Sequence, residues 1–162
     1  MKTNFKFSFL LSLLLLFCYS KTSRLKKTPD FVLEEINGEK FHLYEHIKNK
    51  VVIIDFWDTW CPPCRAEIPH FIEIYSDYED KGVLIIGIAF AREGIERVKS
   101  FCEENGINYP VLVANREVVE SYGGISAIPT TFIINKKGEI VEKIIGYRDK
   151  EFFEEKIKEL LK

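Results

Sequence analysis

The sequence contains few cysteines, carries almost no net charge and shows no internal repeat or low-complexity segment. Its four cysteines are too few and too unevenly placed to form the disulfide scaffold of a small secreted domain. The formal net charge of −2 gives no reason to expect a nucleic-acid partner. The chain therefore has to form an ordinary hydrophobic core, and each cysteine has to be interpreted separately.

Length and composition are those of one globular domain. The chain has 162 residues, of which 46% are hydrophobic and 30% are charged. A chain of this size buries a proper core without disulfide or metal cross-links. We expect no second domain.

The first 20 residues have the pattern of a signal peptide. Lys2 and Lys6 precede residues 7–20, which carry no charge, and a cleavage site after Ser20 would have Cys18 at its −3 position. This uncharged stretch of 14 residues is shorter than the roughly 17–25 that span a bilayer. Cleavage of residues 1–20 is therefore the favoured interpretation.

Retention of the leader is the alternative interpretation. The chain would then carry a membrane tether through residues 5–20. Lipidation of Cys18 is disfavoured, because the large Phe17 stands where a lipidation site needs a small residue. In either case we expect residues 21–28 to be a polar tether and residues 29–162 to be the folded domain.

Apolar runs and helical periodicity alternate along the rest of the chain. Residues 51–56 and 83–90 are continuous apolar runs, typical of strands that are covered on both faces. Asn37-Gly38, between two short apolar segments, predicts an N-terminal β-hairpin. Strands that alternate with helices indicate an α/β sandwich. The other predicted helices are residues 61–80, a helix that ends at Gly106, residues 115–122 with Asn115 as the N-cap, and a helix from residue 150 with Asp149 as the N-cap. The other predicted strands are residues 110–114, 130–135 and 139–146.

Two cysteines, Cys61 and Cys64, lie where a buried strand ends and a helix begins. The unpaired N–H groups and the dipole of a helix N-terminus stabilise a thiolate there. The spacing suits a reversible disulfide, in which Cys61 attacks a substrate and Cys64 resolves the mixed disulfide. A zinc site is disfavoured, because the sequence has no second Cys-x-x-Cys motif. The lone Cys102 lies on an apolar helical stripe and is expected to be buried and inert.

Several segments together resemble a known family. They are Pro29-Asp30-Phe31, Phe56-Trp57-Asp58-Thr59-Trp60-Cys61-Pro62-Pro63-Cys64-Arg65, Glu67-Ile68-Pro69, residues 106–113 and Ile128-Pro129-Thr130-Thr131-Phe132. The chain resembles the thioredoxin superfamily and, within it, the TlpA/ResA-like extracytoplasmic thiol-disulfide oxidoreductases. The resemblance implies a thioredoxin-like three-layer sandwich with a central mixed β-sheet, an N-terminal β-hairpin and a TlpA-like βα insertion at residues 91–114.

Two carboxylates are candidate acceptors for the proton of Cys64. Asp55 lies in an apolar strand, where burial raises the pKa of a carboxyl group, and its position matches the buried acid of thioredoxins. Glu67 lies three residues after Cys64 on the same helical face and matches the active-site glutamate of the TlpA/ResA-like branch. The alternatives are a structural hydrogen-bonded acid for Asp55 and a solvated helix face for Glu67. The sequence leaves the owner of the proton undecided.

The resemblance also implies where a substrate binds. Ile128-Pro129 matches the family's cis-proline turn, where the backbone of Ile128 is expected to pair with an extended substrate segment. Trp60, beside the nucleophile, and Pro62 are expected to contribute to an apolar docking surface. We therefore assign substrate binding to Trp60, Pro62, Ile128 and Pro129.

The two prolines between the cysteines predict the direction of the reaction. If Cys61 caps the helix, Pro62 and Pro63 occupy its first two positions and have no N–H to offer. The first backbone donor for the thiolate is then the N–H of Cys64. Because a less stable reduced form means a more reducing couple, we predict a reductant or at most a mild oxidant, and we expect Pro63→His to raise the potential.

The predicted function is a thiol-disulfide oxidoreductase exported to a bacterial periplasm or its equivalent. The resemblance implies protein substrates such as apocytochrome c and a membrane electron donor. No cofactor or metal is expected besides the Cys61–Cys64 disulfide, and we expect a monomer. One alternative is a peroxiredoxin-like peroxidase, for which Thr59 is present but the rest of the pattern is not. Another is a non-catalytic binding or chaperone domain, against which the intact cysteine pair argues.

Overall fold

The computed structural model describes residues 25–162, so the predicted leader and Cys18 lie outside the described residues. No helix in this part of the chain is both long and apolar enough to cross a bilayer. The strands are β1 (Lys26–Lys27), β2 (Val32–Glu34), β3 (Lys40–His42), β4 (Val51–Trp57), β5 (Val83–Ala89), β6 (Val111–Val113), β7 (Thr130–Ile134) and β8 (Glu139–Ile145). The helices are α1 (Leu43–His46), α2 (Pro62–Tyr78), α3 (Ile95–Asn105), α4 (Arg116–Ser121) and α5 (Lys150–Leu161), with a short 3-10 helix at Glu79–Lys81.

Six strands form one mixed sheet in the order β1-β8-β7-β4-β5-β6. β4, β5 and β6 are parallel to one another, whereas β7, β8 and β1 are antiparallel to their neighbours. Every residue of the interior strands β4 and β5 is buried, as their continuous apolar runs predict. β2 and β3 form the predicted N-terminal hairpin as a separate two-stranded sheet.

Alternating side chains of β4 build a core on each face of the sheet, because successive strand residues point to opposite faces. Ile53 and Trp57 belong to a core with α2, α3 and α5. Ile54 and Phe56 belong to a second core with the hairpin, α1 and α4. The predicted three-layer sandwich is confirmed. The alternation also puts Asp55 on the face that α2 covers.

The predicted βα insertion is present between β5 and β6. α3 joins these two strands, which pair in parallel, and it ends at Gly106, whose φ of 63° lies in the left-handed region that favours glycine. The two helix caps predicted further along the chain are also present. The Asn115 side chain caps α4, and the Asp149 side chain caps α5.

The N-terminal segment reaches both edges of the six-stranded sheet. β1 pairs with the start of β8, and the hydroxyl of the buried Thr28 lies 2.9 Å from that of Tyr122. The folded part therefore begins before Pro29, and the described end of the predicted tether packs on the domain. At the opposite edge, the Ile36 N–H donates to the carbonyl oxygen of Val111 on β6 across 3.0 Å.

Candidate active site

The two motif cysteines form a disulfide at the N-terminus of α2, with their Cα atoms 5.3 Å apart. Cys61 is the N-cap residue, and Pro62 and Pro63 follow it at the first two helical positions. The backbone N–H of Cys64 donates to Cys61 Sγ across 3.3 Å. This is the predicted geometry, in which the prolines offer no N–H. The structure therefore contains the oxidised form of the pair.

Asp55 is a buried carboxyl group in the middle of β4. It lies between Thr131 on β7 and Gly87 on β5, and the Thr131 hydroxyl donates to its Oδ1 across 3.1 Å. Burial raises the pKa of Asp55 well above its usual value, and the nearby Glu67 carboxylate raises it further, whereas the Thr131 hydrogen bond lowers it. Asp55 therefore favours its protonated form.

Glu67 lies one helical turn after Cys64 and is fully buried, so a solvated helix face is the wrong interpretation of this residue. Its Oε1 accepts the backbone N–H of Arg148, between β8 and α5, across 2.8 Å. Its Oε2 has no hydrogen-bond partner among residues 25–162. Burial raises the pKa of Glu67 to about 7, although the N–H and the charge of Arg148 act in the opposite direction. The structure thus brings the two predicted acids into one buried region.

A groove of about 280 Å³ lies beside Cys61. The Ile128–Pro129 peptide bond is cis, as predicted, and the Ile128 carbonyl oxygen lies 3.7 Å from Cys61 Sγ. Of the four residues assigned to substrate binding, Trp60, Pro62 and Ile128 line this groove. Pro129 is buried and does not line it. Three of the four predicted substrate-binding residues therefore lie around the same groove as Cys61.

Asp58, which the sequence analysis did not assign to the site, organises the loop before the disulfide. Its buried carboxylate accepts hydrogen bonds from the Thr59 N–H at 2.8 Å, from Trp60 Nε1 at 2.9 Å and from the Arg92 N–H at 3.2 Å. Its backbone carbonyl accepts the Cys61 N–H across 3.2 Å. The sequence signal that could have identified Asp58 is its position directly after a buried strand, where the N–H groups of a loop need hydrogen-bond acceptors.

The remaining cysteine of the domain lies apart from this site. Cys102 is a buried free thiol on α3, as predicted. Burial, together with the charge of Glu103, raises the pKa of the Cys102 thiol to about 11, so it is protonated and unreactive near neutral pH. Within residues 25–162, no three histidine, cysteine or carboxylate side chains are grouped as metal ligands.

Several known proteins are similar to this chain over most of its length. A model of the AhpC/TSA family matches residues 25–143. The thiol-disulfide oxidoreductase ResA of Bacillus anthracis is 38% identical over 135 residues, which cover 83% of this chain and 77% of that protein. The ResA of Bacillus subtilis is 37% identical over 119 residues, which cover 73% of this chain and 65% of that protein.

Two solved structures are also similar to this chain over most of its length. A thiol:disulfide interchange protein of the thioredoxin family from Chlorobium tepidum superposes with a TM-score of 0.80 at 34% identity, covering 86% of this chain and 99% of that one. StoA from Bacillus subtilis superposes with a TM-score of 0.67 at 29% identity, covering 79% of this chain and 96% of that one.

Proposed function

The chain belongs to the AhpC/TSA family and is a thiol-disulfide oxidoreductase with the thioredoxin fold, and we propose that it works as a reductant of protein disulfides. This proposal rests on the number of backbone N–H groups that can donate a hydrogen bond to the Cys61 sulfur. With prolines at the first two helical positions, the N–H that reaches Cys61 Sγ is that of Cys64. A thiolate with fewer donors is less stable, which favours the oxidised pair and makes the couple more reducing.

The proposed reaction starts from the reduced pair. The Cys61 thiolate attacks one sulfur of a substrate disulfide, whose S–S bond breaks, and the other substrate sulfur leaves and takes up a proton. The Cys64 thiolate then attacks Cys61 Sγ, and the second substrate sulfur leaves and takes up a proton. The substrate has gained two electrons and two protons. The chain is left with the Cys61–Cys64 disulfide present in the structure.

We assign the proton of Cys64 to Glu67. Because the pKa of Glu67 is raised to about 7, both of its protonation states are populated near neutral pH. Its charge raises the pKa of the buried Asp55 still further, so Asp55 keeps its proton while Glu67 ionises. Loss of turnover in Glu67→Gln, with Asp55→Asn still active, is the expected pattern. The reverse pattern would assign the proton to Asp55.

The reduction potential of the cysteine pair tests the proposed direction. A chain without residues 1–20 keeps every residue that the structure describes, and it can be equilibrated with glutathione or dithiothreitol at a series of ratios. A potential near that of thioredoxin, about −270 mV, is expected for a reductant. A potential near about −120 mV, typical of a strong oxidant, would overturn the proposal.

The proposed substrates are disulfides of exported proteins, with apocytochrome c as the first candidate. The apolar N-terminal leader in the sequence supports an extracytoplasmic location, either after cleavage or with residues 5–20 as a membrane tether. A reductant in an oxidising compartment needs electrons from a membrane donor.

A Cys64→Ser variant tests whether the chain acts on substrate disulfides. Because this variant cannot resolve the mixed disulfide on Cys61, it should trap the substrate covalently. The absence of any trapped cysteine protein would favour a non-catalytic binding domain.

A peroxidase is the second activity to assay, because the family whose model matches is AhpC/TSA. The hydroxyl of Thr59, the one residue of the peroxidase pattern in the sequence, donates to Glu93 Oε2 across 2.7 Å. This hydroxyl is therefore engaged by a carboxylate. Consumption of hydrogen peroxide by the reduced chain as fast as disulfide exchange would favour the peroxidase, and we expect much slower consumption.

A further inference from the structure

The loop after β4 and the loop after β5 are joined by one buried carboxylate, that of Asp58. Its Oδ1 accepts the Thr59 N–H, and its Oδ2 accepts both Trp60 Nε1 and the Arg92 N–H. Hydrogen bonds to an ionised acceptor are about twice as strong as neutral ones. The position of the Trp60 ring is therefore set by the interior of the protein, although 45% of the side chain is exposed.

This arrangement places a positive charge at the mouth of the groove. The Arg92 guanidinium lies over the Trp60 ring, 5.2 Å from its centroid, and both residues line the groove that contains Cys61. A guanidinium stacked on an indole keeps its charge and its N–H donors available to a ligand. The groove thus combines mainly apolar walls with one guanidinium.

Two carboxylates close to Arg92, that of the next residue, Glu93, and that of Asp58, already accept hydrogen bonds. Glu93 accepts the Thr59 hydroxyl across 2.7 Å, and the buried Asp58 accepts three N–H groups. None of the ion pairs formed within residues 25–162 includes Arg92. Of the described residues that line the groove with Cys61, Arg92 alone carries a charge.

We propose that Trp60 and Arg92, held by Asp58, form a subsite that binds an acidic side chain of the substrate next to the cysteine attacked by Cys61. The stem of a glutamate would lie against Phe90 and the Trp60 ring, and its carboxylate would meet the guanidinium. Arg92 is then a specificity-determining residue, and Asp58 is a positioning residue that acts through Trp60. The inference rests on the proposed reductase activity and adds the class of substrate sequence that this groove selects.

Two disulfide-bonded peptides, identical except for glutamate or glutamine next to the reactive cysteine, test the subsite. The rate constant for their reduction by the reduced full-length chain is measured in stopped flow at low salt and at about 1 M salt. We expect the glutamate peptide to react about two- to fivefold faster at low salt, the range typical of an exposed ion pair, and the preference to fall strongly at high salt.

Matched arginine variants identify the residue responsible. Arg92→Gln should abolish the preference for glutamate, so that this variant reduces the two peptides at equal rates. Arg116→Gln is the control, because Arg116 is exposed on α4 and pairs with Glu120 across 2.7 Å. This control should keep the full preference. An equal preference in wild type and Arg92→Gln would overturn the proposal.

Variants of Asp58 distinguish its role in positioning Trp60 from the effect of its own negative charge. Asp58→Asn removes the negative charge but keeps one accepting oxygen, so it should retain the preference for glutamate. Asp58→Ala should lose the preference and shift the fluorescence of Trp60, because the ring then loses the hydrogen bond of its Nε1 and the Arg92 loop loses its link to the same carboxylate. If Asp58 acted only as a nearby negative charge, both substitutions would increase the preference alike, which would refute the positioning role.

The outcomes also distinguish this inference from the function on which it rests. If the reduced wild-type chain reduces neither peptide, the reductase proposal fails, and the subsite fails with it. If it reduces both peptides at the same rate at low salt, the reductase proposal stands and the acidic subsite is wrong. A faster reaction with the glutamate peptide that Arg92→Gln removes establishes both.

Discussion

Replacing Pro63 with alanine is expected to raise the reduction potential of the Cys61–Cys64 pair. Pro63 is the second residue of α2, a position whose backbone N–H can donate to the N-cap side chain. Alanine restores that N–H without adding a charge. The Cys61 sulfur would then gain a second backbone donor beside the Cys64 N–H, which lies 3.3 Å away.

The size of the effect follows from the strength of one charge-assisted hydrogen bond. Such a bond stabilises a thiolate by about 1.5–3 kcal/mol. For a two-electron couple, about 1.4 kcal/mol corresponds to 30 mV, so the potential should rise by about 30–65 mV where the thiolate is fully populated. The rise should shrink at lower pH, because a protonated thiol gains little from the new donor.

The assay is equilibration with dithiothreitol at about pH 9 and about pH 6, on either side of the ordinary cysteine pKa. Pro62→Ala is the matched control, since it restores an N–H at the first helical position, which does not reach the N-cap side chain. We expect a clear rise at about pH 9 for Pro63→Ala and little change for Pro62→Ala. An unchanged potential in Pro63→Ala, or an equal rise in both variants, would refute the argument from the missing donor.

Other substitutions test the buried acid, the packing and a helix cap in urea unfolding experiments. The unfolding free energy should fall by up to about 3 kcal/mol as the pH rises from 4.5 to about 7, because unfolded Glu67 ionises over this range while burial raises its folded pKa to about 7. The raised pKa of the buried Asp55 adds a dependence of the same sign, so Glu67→Gln should make the fall smaller without abolishing it, and an unchanged fall would exclude Glu67 as a source. Gly87→Ala should lower the unfolding free energy by about 1–3 kcal/mol, since the added Cβ would lie 2.8 Å from Trp57 Nε1; an unchanged urea midpoint would contradict this close approach. Asp149→Ala should lower it by about 1 kcal/mol through loss of the bond from the Phe152 N–H, which Asp149→Asn should largely preserve.

The elements that could be predicted from sequence are those with a local signal. β4 and β5 were predicted because strands covered on both faces are continuously apolar, and α5 because a cap precedes a helical stripe. β1 could not be predicted, since its two lysines form a strand only by pairing with β8, more than 110 residues later in the chain. α1 has four residues, of which only Leu43 is buried, and is too short to show periodicity.

The same distinction applies to the site. The cysteine pair and the cis-proline turn were predicted from contiguous motifs. The partners of the buried acids were not, because they come from distant loops: the Arg148 N–H that binds Glu67 is 81 residues away, and the Arg92 N–H that binds Asp58 is 34 residues away. Glu67 is buried because distant parts of the chain cover α2, and no local sequence pattern predicts that contact.

Because the N-terminal segment reaches both edges of the sheet, we expect it to oppose aggregation of the domain. An outer strand with free N–H and carbonyl groups invites pairing with the same strand of another molecule. Here β1 covers the start of β8, and the N–H of Ile36, two residues after β2, donates to a carbonyl oxygen of β6. Along the rest of β8, Glu142 and Lys143 add charges that oppose such pairing. Removal of residues 25–36 should therefore promote association between copies of the chain before it affects the disulfide.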